Sequence, residues 1–418
     1  MKRNYFIAGL VMLVFFVISF LTNILGPVIP EIISGFGLNL TLAAVLPFSF
    51  FIAYGVMSVP AGMLVEKYKE KSVMLASFAL AFAGALLFAL LPRYGVAIVS
   101  LFLIGAGMAA LQVAINPLLR VAGGEEHFAF NSVLAQLIFG AASFMSPHVY
   151  SYLTAHVGTG EGGIIVRALS AVTPRGLAWA SLYWVFAAAA AAMVVIIALS
   201  KFPEVERKED EKTGTWAVHA ELLRDKTVLL FFAGIFCYVA TEQGIANWIS
   251  QFLKVYHNCD PQTAGASGVS WFWGLMTLGC LLGMLLLKFF DSRRILVAFA
   301  AAAFCCLTAA LWGPAEVSKL AFPALGFALS VMWSIIFSLA LNSVSKHHGA
   351  FSGILCTAIM GGAFYPLLIG WAGDRFGLRA GMSLLYLTLA YIFSIGIWAK
   401  PIILNETFAR RRQKEQGA

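Results

Sequence analysis

Apolar residues run through this chain in long blocks, and polar residues gather in the short gaps between them. Twelve blocks can be marked, near residues 5–30, 40–64, 72–91, 95–120, 130–154, 178–200, 227–253, 264–287, 295–313, 318–342, 350–373 and 381–402. Each is about as long as the roughly 20 residues a helix needs to cross a bilayer. Short alternating segments of the kind that build a membrane β-barrel are absent from the pattern. The pattern predicts an all-α polytopic membrane protein with twelve transmembrane helices, numbered here as spans 1 to 12. The blocks fall six and six around a charged stretch. That predicts an N-terminal six-helix bundle at 1–200, a linker at 201–226, a C-terminal bundle at 227–402 and a tail at 403–418.

The two sets of six repeat one another. GMLVEKYKEKS at 62–72 returns as GMLLLKFFDSR at 283–293, and HFAF at 127–130 returns as HGAF at 348–351, both 221 positions later. Gly140 and Gly361 keep the same offset, as do Phe144 and Tyr365. Two pseudo-symmetric bundles in a very apolar chain suggest a transporter, because such halves can rock about a site between them.

Composition agrees. The 418 residues are 61% hydrophobic and 11% charged, with a mean hydropathy of +0.86, whereas soluble domains carry about 25% charged residues. The net charge of +8 follows topology and points to no nucleic acid. Of 28 Lys and Arg residues, 21 lie on the side of the two ends and the linker, and 7 on the other. The positive-inside rule then expects both termini and the linker in the cytoplasm, and the protein in the cytoplasmic (inner) membrane. The opening MKRN is followed by no small-residue cleavage site, and its apolar run continues through Gly26, Pro27 and Pro30, so it reads as span 1. Five of six cysteines lie in apolar blocks and none forms a CxxC, which suits small buried hydrophobes. The stretch 201–226 mixes both charges and reads as a solvated linker with a helix-compatible second half.

Candidate chemistry comes from polar groups inside the spans, since these are costly against lipid and should face a cavity or another helix. Span 1 sets Asn23, Gly26, Pro27 and Pro30 on one face; span 4 carries Gln112 and Asn116, followed by Pro117; span 5 carries Gln136, Gly140, Ser143 and Pro147. Span 7 holds Glu242, Gln243, Asn247, Ser250 and Gln251 beside Trp248. Span 8 carries Ser270, Trp273 and Thr277 on one face and Trp271 on another, and span 10 repeats Ser330, Ser334, Ser338 and Asn342. Amides offer donors and acceptors together, which matches sugar hydroxyls, and aromatic faces cover the apolar face of a pyranose. The same small polar residues also serve to pack helices closely. Glu242 is the one carboxylate placed well inside a span; it reads as a polar hub, an ion-coupling acid or a structural hydrogen-bonding acid. No Walker loop, HExxH or GxSxG occurs, so neither an enzyme nor a cofactor nor a metal site is expected.

At these residues the chain resembles the major facilitator superfamily over essentially its whole length. The superfamily's loop after span 2, roughly G-x-L-x-D-R/K-x-G-R/K-R/K, is met by Gly62, Leu64, Glu66, Lys67 and Lys71, with Glu for Asp and no second glycine. Gly283, Leu285, Asp291, Arg293 and Arg294 echo it in the second half. The resemblance implies that Gly62, Glu66, Lys67, Asp291 and Arg293 belong to a gating loop. A narrower likeness is to the fucose permease-like branch of sugar symporters. Gln112-Val-Ala-Ile-Asn116-Pro117 matches its span 4 signature, Leu134-Ala135-Gln136 its span 5, and Phe236-Cys237-Tyr238-Val239 its span 7. It implies a hexose or related monosaccharide as substrate and an alternating-access mechanism. The branch's proton-linked acids fall at Asn23 and Gln112, and an amide cannot cycle a proton. Coupling then runs through Glu242 by proton, by sodium held on amide and carboxylate oxygens, or not at all.

The reading is a monomeric sugar transporter in the lipid bilayer, ion-coupled by sodium or proton. Asn23, Gln112, Asn116, Gln136, Gln243 and Asn247 would bind the sugar, Trp248, Trp271 and Trp273 would stack on it or close the gate, and Glu242 would be the hub. A multidrug exporter of the same superfamily is one alternative, though its glycine-proline motif is missing from GAASFMSPHVYSYL in span 5. A transport-inactive sensor or scaffold is the other.

Overall fold

The structure, a computed structural model, describes residues 5–123, 128–159, 162–202, 216–344 and 346–402. Among them there are helices and connections but no strand. Ten helical segments are long and apolar enough to cross a membrane. One of these, Leu40–Leu90, has 51 residues, about 75 Å of helix against a hydrocarbon core of about 30 Å. It breaks at Lys69, whose φ of 67° and ψ of 161° lie outside the helical region, so it supplies spans 2 and 3. Span 5, Phe128–His156, brings the number to twelve.

The other spans follow in order. Span 1 is Tyr5–Thr22 with Leu25–Phe36, span 4 is Tyr94–Gly123 and span 6 is Ser181–Leu199. The helix Trp216–Leu222 precedes span 7, which is Lys226–Ala246 with Ile249–His257. Span 8 is Pro261–Gly265 with Ala266–Leu286, and span 9 is Ser292–Trp312. Span 10 is Ala315–Leu329 with Met332–Leu341, span 11 runs from His348 to Phe376 in three pieces, and span 12 is Leu378–Ser383 with Leu385–Trp398. The sequence pattern made spans 1, 7 and 10 continuous; each is interrupted near its middle. Residues 203–215 of the linker, the tail at 403–418 and the side chains of Asn116 and Pro117 lie outside the described residues.

The repeat read in the sequence is built into the packing. Gly105 of span 4 lies so close to span 2 that an added Cβ would sit 2.2 Å from the carbonyl oxygen of Phe50. In the second half, Gly326 of span 10 stands in the same relation to Phe272 of span 8, at 2.1 Å. Lipid tails are as apolar as side chains, so helix association in a membrane rests on such close backbone approach rather than on burial of apolar surface from water. Around these crossings the largest side chains are wholly enclosed, Phe50, Phe78 and Phe88 in the first bundle and Phe231, Phe272 and Phe322 in the second.

On the face that carries the linker, the basic loops tie each bundle to itself. Lys71 Nζ donates to the carbonyls of Ala198 (2.9 Å) and Ser200 (2.8 Å) at the end of span 6. Arg293 Nη1 donates to Ala399 O at the end of span 12 (3.3 Å), while its Nε meets Asp291 at 3.1 Å. Each cation sits where a helix leaves carbonyls without partners and the helix dipole is negative. Of the expected gating residues, Asp291 and Arg293 therefore pair with each other, and Glu66 and Lys67 are exposed.

Candidate functional site

The two halves meet where two interrupted helices cross. Span 1 breaks at Asn23 because Pro27, four residues on, has no N–H for the carbonyl of residue 23, and its ring crowds that carbonyl. Span 7 breaks at Asn247 with no proline. Its Nδ2 donates to the Gln243 carbonyl at 2.8 Å, competing with the helical ladder, and the chain tightens so that Trp248 N bonds Ile245 O at 2.9 Å. A Cβ on Gly26 would lie 2.2 Å from Ala246 O and 3.5 Å from Asn247 Cα, so the breaks are in contact. Interrupted helices paired across a pseudo-twofold axis are where transporters of this architecture place backbone and amide groups for a substrate.

A connected set of polar groups lies at the span 7 break. Glu242 accepts from Tyr238 Oη at 2.5 Å on one oxygen and from Gln243 Nε2 at 3.0 Å on the other. The Gln243 Oε1 in turn lies 3.4 Å from Asn247 Nδ2. Both carboxylate oxygens thus act as acceptors, and each keeps a further lone pair for a proton or a substrate hydroxyl. The Tyr238 ring lies 5.9 Å from Trp333 of span 10, which stacks on Phe337. Gln243 reaches the junction of spans 2, 7 and 11, since a Cβ on Gly362 would meet its Cγ at 3.1 Å and the Phe51 ring at 3.0 Å.

On the other side of the crossing, Asn23 is buried and donates from Nδ2 to Ser143 Oγ at 2.8 Å. Ser19 and Ser143 hydroxyls lie 2.6 Å apart, and Ser19 also reaches Phe139 O at 2.5 Å. This ties span 1 to span 5. Gln112 is half-buried and hydrogen-bonded or otherwise engaged, and Gln136 is exposed.

The three tryptophans have different surroundings. Trp248 is fully enclosed and donates from Nε1 to the Pro366 carbonyl of span 11 at 3.3 Å. Trp271 is 47% exposed, with its ring edge-on to Phe144 at 5.3 Å. Trp273 is 5% exposed, packs edge-on to Phe272, and its indole N–H is buried without an acceptor. Two residues of this region escaped the sequence reading as site members. Tyr238 was legible from its i, i+4 spacing to Glu242, which puts both on one helix face. Trp333 carried no signal beyond standing next to Ser334.

Beyond the crossing, toward the face away from the linker, the halves are joined along three seams. Spans 1 and 7 touch at Gly26 and Ala246. Spans 5 and 8 are joined by Ser270 Oγ to Phe144 O (2.6 Å) and to His148 Nε2 (3.0 Å), and by Ser151 Oγ to Gln262 O (2.5 Å). Gln262 Nε2 also reaches Glu31 of span 1 at 3.3 Å. Spans 2 and 11 are joined through Asp374, which bonds Leu40 and Thr41.

Comparison with known proteins fits this architecture. The chain is 29% identical over 408 residues to a glucose/galactose transporter of Brucella abortus, covering 95% of each. It is 25% identical over 402 residues to the L-fucose-proton symporter of Escherichia coli, covering 90% of this chain and 89% of that one. Among solved structures, the E. coli fucose:proton symporter aligns with a TM-score of 0.69 at 22% identity, over 95% of this chain and 100% of that one. A bacterial homologue of the human lysosomal transporter Spinster, in an inward-facing and occupied conformation, aligns with a TM-score of 0.79 at 13% identity, over 96% and 98%. The sequence profile of the Major Facilitator Superfamily matches residues 11–366. With twelve spans in two halves that repeat in packing as well as in sequence, the chain belongs to the Major Facilitator Superfamily.

Proposed function

We propose that this protein carries a hexose-class monosaccharide across the cytoplasmic membrane by alternating access, together with a proton that is handled by Glu242. The linker face is the cytoplasmic one, as the excess of basic residues on that side supports. The carrying observation is the polar set Tyr238–Glu242–Gln243–Asn247, which begins inside span 7 and ends at its contact with span 1. It presents amide and carboxylate groups in a pattern suited to sugar hydroxyls. The relatives named as glucose/galactose and fucose transporters support the substrate class, and the proton symporter among them supports the ion. Asn23 extends the site from the first bundle, at the break of span 1 that touches span 7, and Trp273 offers it an indole N–H.

Uptake into proteoliposomes tests this, with labelled glucose, galactose and fucose and with pH and sodium gradients imposed separately. Inward proton gradients should drive accumulation, and Glu242→Gln should leave exchange but remove accumulation. Accumulation driven by sodium alone would replace the ion. Equilibration under every gradient would make the protein a uniporter, and no movement of any sugar would overturn the substrate class.

A further inference from the structure

Span 2 begins with a full set of first-turn donors, and two of them are satisfied by the other half of the molecule. The first N–H groups of a helix have no partner within it. Here Leu42 N is taken by the span's own cap, Asn39 Oδ1, at 2.8 Å, and Ala43 N by Asn39 O at 3.1 Å. Leu40 N and Thr41 N are taken instead by Asp374 of span 11, at 2.9 Å to Oδ1 and 2.8 Å to Oδ2, and the Thr41 hydroxyl adds a bond of 2.5 Å. A carboxylate on one bundle is thus the cap of a helix on the other, placed against the positive end of that helix's dipole.

The backbone around Asp374 is shaped for this approach. Added Cβ atoms on Gly370 and Gly373 would lie 2.6 Å from Leu40 O and 2.9 Å from Leu40 Cδ1, so the helices close together only because both positions are glycine. Arg375, the adjacent cation, lies over the Trp371 ring at 4.2 Å. The pseudo-symmetric seam is built differently. At the start of span 8 the cap is that span's own Asp260, bonded to Thr263 N at 3.0 Å. The opposing span 5 contributes the Ser151 hydroxyl, and the position 221 residues before Asp374 is Leu153. The carboxylate that crosses the halves there is Glu31 of span 1, which accepts from the Gln262 side chain at 3.3 Å rather than from the start of a helix.

We infer that Asp374 is the latch of the far-face gate: its cap on span 2 holds the two bundles together at that face and sets the balance between the two access states. Opening the face separates Asp374 from Leu40 and Thr41 and returns two helix N–H groups to solvent. The inference rests on the alternating-access reading and not on the identity of the cargo.

The test uses the full chain in lipid nanodiscs without substrate. Spin labels are attached through p-acetylphenylalanine placed at Leu91 and Leu320, exposed positions near that face on the first and second bundles, and their separation is read by double electron–electron resonance. Asp374→Ala should raise the ratio of long to short separations by about fivefold, the factor that loss of one capping interaction gives. Asp374→Asn, whose amide oxygen can still cap, should fall between, and it carries the test if the alanine variant is not monodisperse. Glu316→Gln, which alters a carboxylate paired with Lys319 on its own helix, should leave the distribution unchanged. Superimposable distributions for the Asp374 variants and the unsubstituted protein would overturn the latch, as would an equal shift from Glu316→Gln. Because no sugar is present, failure of the substrate assignment leaves this result untouched.

Discussion

Gly26 and Ala246 lie in backbone contact across the two halves, one just after the break of span 1 and the other just before the break of span 7. The space for a side chain at Gly26 is filled by a carbonyl oxygen 2.2 Å from where its Cβ would be. Real Cβ atoms do not come that close to a backbone oxygen, and a backbone cannot move aside as a flexible side chain can. Gly26→Ala is therefore expected to fold but to resist closure of the far face. Transport should fall by about fivefold or more, since a clash of roughly 1–3 kcal/mol is borne by one access state only. Sided labelling of a far-face cysteine, faster in Gly26→Ala than in the unsubstituted protein, checks it; equal labelling would mean that the crossing does not change during the cycle.

The hydroxyl of Tyr238 is the closest donor to Glu242, at 2.5 Å. Tyr238→Phe keeps the ring against Trp333 and removes only that bond. A hydrogen bond to a charged group contributes about 1.5–3 kcal/mol, so the melting temperature should fall by several degrees, and KM for sugar exchange should rise as Glu242 loses the donor that orients it. Equilibrium exchange, which needs no gradient, separates this effect from coupling. An unchanged KM would remove Tyr238 and, with it, the span 7 polar set from the binding site.

How legible these features were depends on what kind of force produces them. The twelve spans, the repeat and the family were written in hydropathy and in motif positions, because bilayer thickness and helix rise leave little freedom. The hydropathy pattern makes span 1 continuous, although Pro27 holds the local cause of its break at Asn23. The break at Asn247 has no such signal, because it comes from a side-chain amide turned back on its own helix, a choice that rotamers and neighbours decide. Spacing grouped Trp248, Trp271 and Trp273 as aromatic candidates, yet only tertiary packing separates a wholly buried indole from a half-exposed one. The capping of span 2 by Asp374 joins residues 334 positions apart in sequence, and no local pattern announces such a contact.

Those tryptophans provide a direct check on the extent of the site. Trp248 is enclosed and its N–H is bonded to Pro366 O, so Trp248→Phe should cost stability, about 1 kcal/mol, lowering the melting temperature by a few degrees with KM nearly unchanged. Trp271→Ala, at a half-exposed position, should alter neither. Trp273→Phe should raise KM while costing only the packing of the lost ring, because its indole N–H has no partner in the protein to lose. Thermal unfolding in detergent and exchange kinetics, measured on the same preparations, read out all three. A KM effect confined to Trp248 would move the binding site away from span 8.

Lys71 and Arg293 occupy matching places in the two halves, each closing the open end of the last helix of its own bundle. A cation at a helix C-terminus contributes about 0.3–1 kcal/mol when exposed, and the carbonyl hydrogen bonds add to that. Lys71→Met and Arg293→Met should each lower stability by about 1 kcal/mol, seen as a lower midpoint in thermal unfolding. The two sites lie in different bundles and share no partner, so the double variant should lose the sum of the two single losses, within about 0.5 kcal/mol. If these loops instead act by bridging the halves when the linker face closes, the double variant will deviate from that sum. The loop would then do different work in the two access states: fastening each bundle in the state seen here, and joining the two in the other.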